Sequence, residues 1–244
     1  MSEHVLAAEG GIEVGVHPEV SFLGLTLNID TVISTAIAAA IVVGLGFYLR
    51  AKATTGVPTG GQLLFEAVTH QIERQVEDNV GIRTAPFVVP LALALFFFIL
   101  IANWMTLLPH AFDEYLKPPT ADVNLTFALA FFVIILVHAT GLRKRGMGYF
   151  RHFAQPTPAL LPINIIEEIV RPFTLALRLF GNIFAGTVML SIIALLPEFV
   201  YWLPASAWKL FELAIGLIQA VIFAVLTIVY FGFATGGQEE EGAH

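Results

Sequence analysis

The 244-residue chain contains no cysteine. That excludes disulfides, zinc thiolates and cysteine nucleophiles. It is also poor in charge: 13% of its residues are charged, against about 25% in a soluble domain. The basic residues are few and scattered, so no patch is suited to nucleic acid. No Walker loop, HExxH, GxSxG or metal-binding cluster is present. The chain therefore shows no machinery for making or breaking a covalent bond by itself, and no cofactor is expected. Its start, Met1-Ser-Glu-His4, lacks the basic region of a secretory signal. The first apolar span is expected to be retained as a helix. What the chain does have is apolar sequence, at 57% of positions. An all-α, polytopic integral membrane protein is expected. Most charges sit at chain ends and in loops, so the net charge of −7 says little about partners.

Residues 1–27 are polar to mixed and are expected outside the bilayer, before a single membrane domain over 28–236. The first span, about 30–50, is of the length a membrane helix needs. Asp30 precedes it and Arg50 and Lys52 follow it, which suits a helix running from outside to inside. Residues 60–82 carry Glu66, His70, Glu73, Arg74, Glu77 and Asp78 opposite Leu63, Leu64, Ala67, Val68, Ile72, Val76 and Val80. The pattern reads as an amphipathic helix on the membrane surface, or as a soluble connecting helix. The second and third spans are 86–109 and 122–142. The loop between them holds Asp113, Glu114, Asp122 and Lys117, which places it outside. Arg143, Lys144, Arg145 and Arg151 return the chain to the inside. Two long helices follow, 163–196 and 205–234, with a turn at Pro197–Pro204. At about 1.5 Å per residue the first of them approaches 50 Å, well beyond a 30 Å hydrocarbon core. Both must be tilted, bent or partly outside the bilayer. These make five membrane-embedded helices and one surface helix, ending in an acidic cytoplasmic tail at 237–244.

The chain is organised around Leu175–Gly186. Arg178 lies in a long apolar run, with Asn182 one turn on and Ala185 and Gly186 on nearly the same face. An arginine at membrane depth costs roughly 2.5 to 3.5 kcal/mol on insertion scales. Alone it could be a snorkelling or salt-bridged structural residue. With the amide and the small-residue strip, it reads as a charged contact face for a partner within the membrane. Glu167, Arg171, Thr174, Arg178 and Asn182 share one stripe, and Pro172 is a candidate kink. Glu167 and Glu168 read equally as helix-start charges or as part of an ion path. In the last helix Glu212 and Gln219 share a face with Gly216 between them. Glu212 is either an interfacial residue paired with Lys209 or a proton relay or ion site. Antiparallel packing of the last two helices brings Gln219 to a depth similar to Arg178, within reach of a hydrogen bond. His138 reads as a packed or interfacial histidine and His110 as a loop residue.

Leu177-Arg-Leu-Phe-Gly-Asn182 with Ala185-Gly186, Gln219-Ala-Val-Ile-Phe223 and Leu226-Thr-Ile-Val-Tyr230 resembles the a subunit of F-type ATP synthases. Asn103 to Pro109 and Asp122-Val-Asn124 add to the likeness, which covers most of the chain from about residue 30. Tyr48-Leu-Arg-Ala-Lys52 and Pro162-Ile-Asn-Ile-Ile-Glu-Glu168 are similar to actinobacterial, and within these mycobacterial, versions. The resemblance implies a proton-translocating stator in the bacterial plasma membrane, with the N-terminus outside and the C-terminus cytoplasmic. It implies a ring of c subunits, b-type peripheral-stalk subunits, the rest of the F-type ATP synthase and membrane lipid as partners. Two offset half-channels would load and unload protons on the ring's carboxylates. Arg178 matches the family's essential arginine, Asn182 its asparagine and Gln219 its glutamine. Some bacterial members carry an acidic residue after Ala-Gly, where this chain has Thr187, and a histidine in place of Glu212. Glu212 is then the candidate acid of the outer half-channel. An autonomous transporter would more often show paired repeats and broken helices, and none is visible. A membrane scaffold would need neither an intramembrane Arg nor a Glu.

Overall fold

The computed structural model describes residues 19–22, 25–52, 60–107, 118–146, 148–149 and 161–236. The expected outer loop around Asp113 and the acidic tail fall outside these residues. Two four-residue strands, β1 (Glu19–Phe22) and β2 (Leu25–Asn28), form an antiparallel hairpin before the first helix. No strand was expected there, because the segment lacks a sustained alternating pattern. The membrane domain itself is all-α. Its helices are α1 (Ile29–Lys52), α2 (Gly61–Asn79), α3 (Val88–Trp104), α4 (Val123–Arg145), α5 (Leu161–Ile193) and α6 (Glu198–Thr235). All but α2 are long and apolar enough to cross a membrane.

The last helix starts seven residues before the expected 205, so the turn is only Ala194–Pro197. Pro204 lies inside α6, two turns from its start. As the seventh residue of the helix it lacks the N–H that would bond the Val200 carbonyl and its ring crowds that carbonyl, yet the helix runs through it from Pro197. Glu198 thereby joins the first turn of the helix, which carries Glu212 as well. Pro162 falls in the first turn of α5, where a proline loses nothing.

Ring pairs and side-chain bonds give the packing directions. Phe127 and Phe131 of α4 meet Phe173 of α5, while His138 of α4 approaches Glu168. These two helices are antiparallel. Phe87, capping the start of α3, meets Phe231 of α6, and Asn103 near the end of α3 meets Gly216, so α3 and α6 are antiparallel too. The bundle then has two distinct ends. One gathers Arg50, Lys52, Arg143, Lys144 and Arg145 at the last turns of α1 and α4, where cations also suit the helix dipole. The other gathers the starts of α1, α4 and α6.

At that second end Asp122 caps α4 by accepting the Asn124 N–H at 2.8 Å. Its other oxygen accepts from Asn28 at 2.6 Å and from Thr31 at 2.8 Å. The loop acid expected from the sequence is thus a buried strut between α1 and α4. Helix α3 is the most enclosed, and the core joins its Phe96 and Ile99 to Val133, Leu175, Leu179, Phe223 and Phe231. Lipid is as apolar as these side chains, so close packing and interhelical bonds, more than water exclusion, hold such a core.

Helix α2 packs the C-terminal part of the expected stripe, Val68, Ile72, Val76 and the following Val80, but not its start. Leu63, Leu64 and Ala67 are exposed, whereas Phe65 stacks on Phe97 and Ile72 and Val76 are buried. Its exposed face carries His70, Arg74, Glu77 and Asp78.

Candidate functional site

Helices α5 and α6 run antiparallel, and two contacts set their register. Toward the end away from the basic cluster, the Glu212 carboxylate packs against Gly186. A Cβ at 186 would collide with Glu212 Oε1. Toward the basic end, the Arg171 guanidinium lies over the rings of Tyr230 and Phe233, at 5.1 and 5.6 Å. Between these contacts Gln219 comes level with the Arg178–Asn182 turn.

Arg178 is partly buried, flanked by the exposed apolar Leu177 and Phe184. It makes no hydrogen bond or ion pair among the described residues, although its charge reaches the phenol of Tyr230. The bond expected from Gln219 is absent, and so is one from Asn182. Gln219 is 5% exposed, and its Nε2 is buried without a hydrogen-bond partner. Equal depth did not bring contact, because depth along two helices leaves open which way each side chain turns. One turn up α5, the Thr187 hydroxyl is satisfied by the Ile183 carbonyl at 3.0 Å.

Glu212 is 14% exposed and has two neighbours on its own helix. The Trp208 indole donates to Oε1 at 3.2 Å, and Lys209 Nζ lies 3.3 Å from Oε2. Lys209 also donates to the Thr106 carbonyl at 2.9 Å. The pairing considered from the sequence is therefore formed, and the acid nonetheless faces α5. Trp208 was legible at i−4. Asn103 was not: it accepts from Thr120 at 2.9 Å and donates to the Gly216 carbonyl at 3.4 Å. Gly216 permits this, since a Cβ there would stand 3.1 Å from that of Asn103.

Glu167 and Glu168 lie below Arg178 on α5. Arg171 binds both, donating to Glu168 Oε2 at 2.7 Å and Glu167 Oε1 at 3.1 Å. Glu168 is 14% exposed, and its Oε1 stands 3.6 Å from His138 Nε2. Tyr149 Oη lies 3.1 Å from His138 Nδ1. Burial, then the Glu168 charge, push the Tyr149 phenol up to about 12, against the pull of Arg171 and Arg145. No group of three metal-binding side chains occurs among the described residues.

Along α5 the order is therefore an acid site at Gly186, an unpaired cation at Arg178 and a second acid site at Glu167 and Glu168. The steps are about 12 and 15 Å along the axis. A family profile described as ATP synthase A chain matches residues 32–232. The ATP synthase subunit a of Acidothermus cellulolyticus is 50% identical over 244 residues, covering 99% of this chain and 89% of that protein. The ATP synthase subunit a of Mycobacterium marinum is 50% identical over 250 residues, covering 98% and 99%. That of Desulforamulus reducens is 35% identical over 85% of this chain and 80% of its own. Matched almost from end to end, the chain belongs to the ATP synthase A chain family, the family of the ATP synthase subunit a.

Proposed function

We propose that this chain is the proton-conducting stator of a rotary ATP synthase, with Arg178 separating two offset half-channels at the contact with a ring of c subunits. Family membership supports the broader role in proton translocation through the membrane sector. The observation that carries the finer reading is Arg178, unpaired among the described residues, between the Glu212 carboxylate of α6 packed on Gly186 and the Glu167 and Glu168 carboxylates of α5. An arginine in an apolar span needs a counter-charge, and within the described residues it has none. A ring carboxylate passing the exposed face of α5 supplies it. Glu212 is then the acid of the outer half-channel, Glu167 and Glu168 belong to the inner one, and Asn182 and Gln219 line the gap. The chain is not catalytic alone; catalysis belongs to the remaining subunits, to which b-type peripheral-stalk subunits tie it.

The Lys and Arg bias supports a cytoplasmic position for the basic end of the bundle, with the N-terminus outside. Single cysteines test this in intact cells. Lys144→Cys is expected to be shielded from a membrane-impermeant maleimide, and Glu198→Cys to react. The reverse pattern refutes the orientation. The function itself is tested by purification and reconstitution. The chain is expected to co-elute with a ring of small apolar subunits and to support proton-driven ATP synthesis only with that ring. A chain that purifies alone and carries protons without the ring is an autonomous transporter instead.

A further inference from the structure

We propose that His138 is a proton-carrying residue of the inner half-channel, exchanging protons between Glu168 and water at the basic end of the bundle. The inference rests on the proton-conducting reading above and adds a residue to it.

His138 read as packing in the sequence, because nothing near it in the chain explains it. The fold surrounds it with groups from three elements. Helix α5 offers Glu168 at 3.6 Å from Nε2, with Glu167 and Arg171 behind. Tyr149 holds Nδ1 at 3.1 Å. Tyr230 of α6 lies beyond Arg171. The last turn of α4 adds Arg143, Lys144 and Arg145. Arg171 takes Glu168 Oε2 and Glu167 Oε1. This leaves Glu168 Oε1 buried, without a hydrogen bond, on the side of His138. Arg171 thus engages one oxygen of each carboxylate and leaves the other Glu168 oxygen for His138, and the pair spans buried and wet ground: Glu168 is 14% exposed and His138 34%.

The step balances. A protonated Glu168 gives its proton to His138 Nε2, leaving a carboxylate and an imidazolium. The imidazolium then releases that proton to water. In the tautomer this step requires, Nδ1–H donates to Tyr149 Oη and the Nε2 lone pair faces Glu168 when the proton is taken up; release to water follows from the exposed side of the ring. A phenol with its proton affinity raised remains neutral and can serve this way at any working pH. Tyr149 is thus a positioning residue, its ring seated on the bare face of Gly141, where a Cβ would collide with it. The 3.6 Å gap exceeds a hydrogen bond; closing it takes a shift of about half an ångström or one bridging water.

The test uses the complete complex in liposomes, with the ring and stalk verified in each variant. His138→Gln is expected to slow proton-driven ATP synthesis roughly tenfold, the low side of what a proton-transfer group contributes being about a hundredfold and water partly standing in for the imidazole. Its rate should also lose its dependence on cytoplasmic-side pH between about 5 and 8. Imidazole added on that side should restore His138→Ala, but not Glu168→Gln. Tyr149→Phe should shift the midpoint of the pH profile while keeping most of the rate. Wild-type rate and profile in His138→Gln overturn the proposal. So does a slow variant with an unchanged profile and no imidazole rescue, which marks a packing role. If His138→Ala does not assemble, the profile of His138→Gln decides alone. Wild-type complexes that make ATP from a proton gradient establish the wider reading independently, so failure of the His138 arms strikes this inference only.

Discussion

Arg178→Ala will reduce proton-driven ATP synthesis to background in complexes that still hold the ring. In the proposed reading, a ring carboxylate crossing between half-channels must pass a zone where it is ionised but not hydrated. A fixed cation favours the ionised form there by opposite-charge attraction in a low dielectric. On that reading the same cation would repel protons hopping directly from the proposed outer acid to the proposed inner ones. Moving one charge through the membrane potential yields about 2.3 kcal/mol per 100 mV. A leak that bypasses the ring dissipates that work without rotation. The alanine variant is therefore expected to pass protons passively as well as to stop synthesis. Arg178→Lys is expected to fail nearly as completely, since a desolvated lysine can shed its proton and lacks the planar fork that engages a carboxylate. The check is ATP synthesis and proton flux in vesicles, after ring content is measured. Coupled synthesis near the wild-type rate in Arg178→Ala sinks the stator reading. The structure sharpens this prediction in one respect. Among the described residues neither Asn182 nor Gln219 holds the guanidinium, so its substitution should disturb the isolated fold little.

The second large effect is expected at Glu212, and Gly186 makes its chemistry separable from its packing. Glu212→Gln keeps the shape, so complexes should assemble normally while synthesis slows several-fold; Glu212→Asp and Glu212→His should be milder because each keeps a titratable group. Gly186→Ala does the opposite. Its new methyl lands on the Glu212 carboxylate, and overpacking of this kind costs about 1 to 3 kcal/mol. The thermal midpoint of the complex should fall, and synthesis with it. Gly186→Ala combined with Glu212→Ala should recover the midpoint but not the activity. That non-additivity is the signature of direct contact. An unchanged synthesis rate in assembled Glu212→Gln makes the acid structural, held by Lys209 and Trp208 for packing alone. Additive midpoints in the double variant would contradict the contact across α5 and α6.

The chain's order of hydrophobic runs, its Arg-Leu-Phe-Gly-Asn stretch and its basic turns determined by themselves that five apolar helices and one amphipathic helix would form. They also placed Arg178, Asn182 and Gly186 on one face. Those are local properties, set by a 3.6-residue period and by the cost of charge in hydrocarbon. The start of α6 was misplaced because Pro204 reads as a breaker, whereas the helix runs through it from Pro197. The tertiary structure alone decided which faces meet. It set Glu212 on Gly186, kept Gln219 from Arg178, turned Asp122 into a strut between α1 and α4, and gathered His138, Tyr149 and Glu168 from three elements. Spacing within a helix says which side chains share a side. The rotation and depth of one helix against another depend on the fit of all the intervening side chains at once, and no local pattern encodes that fit.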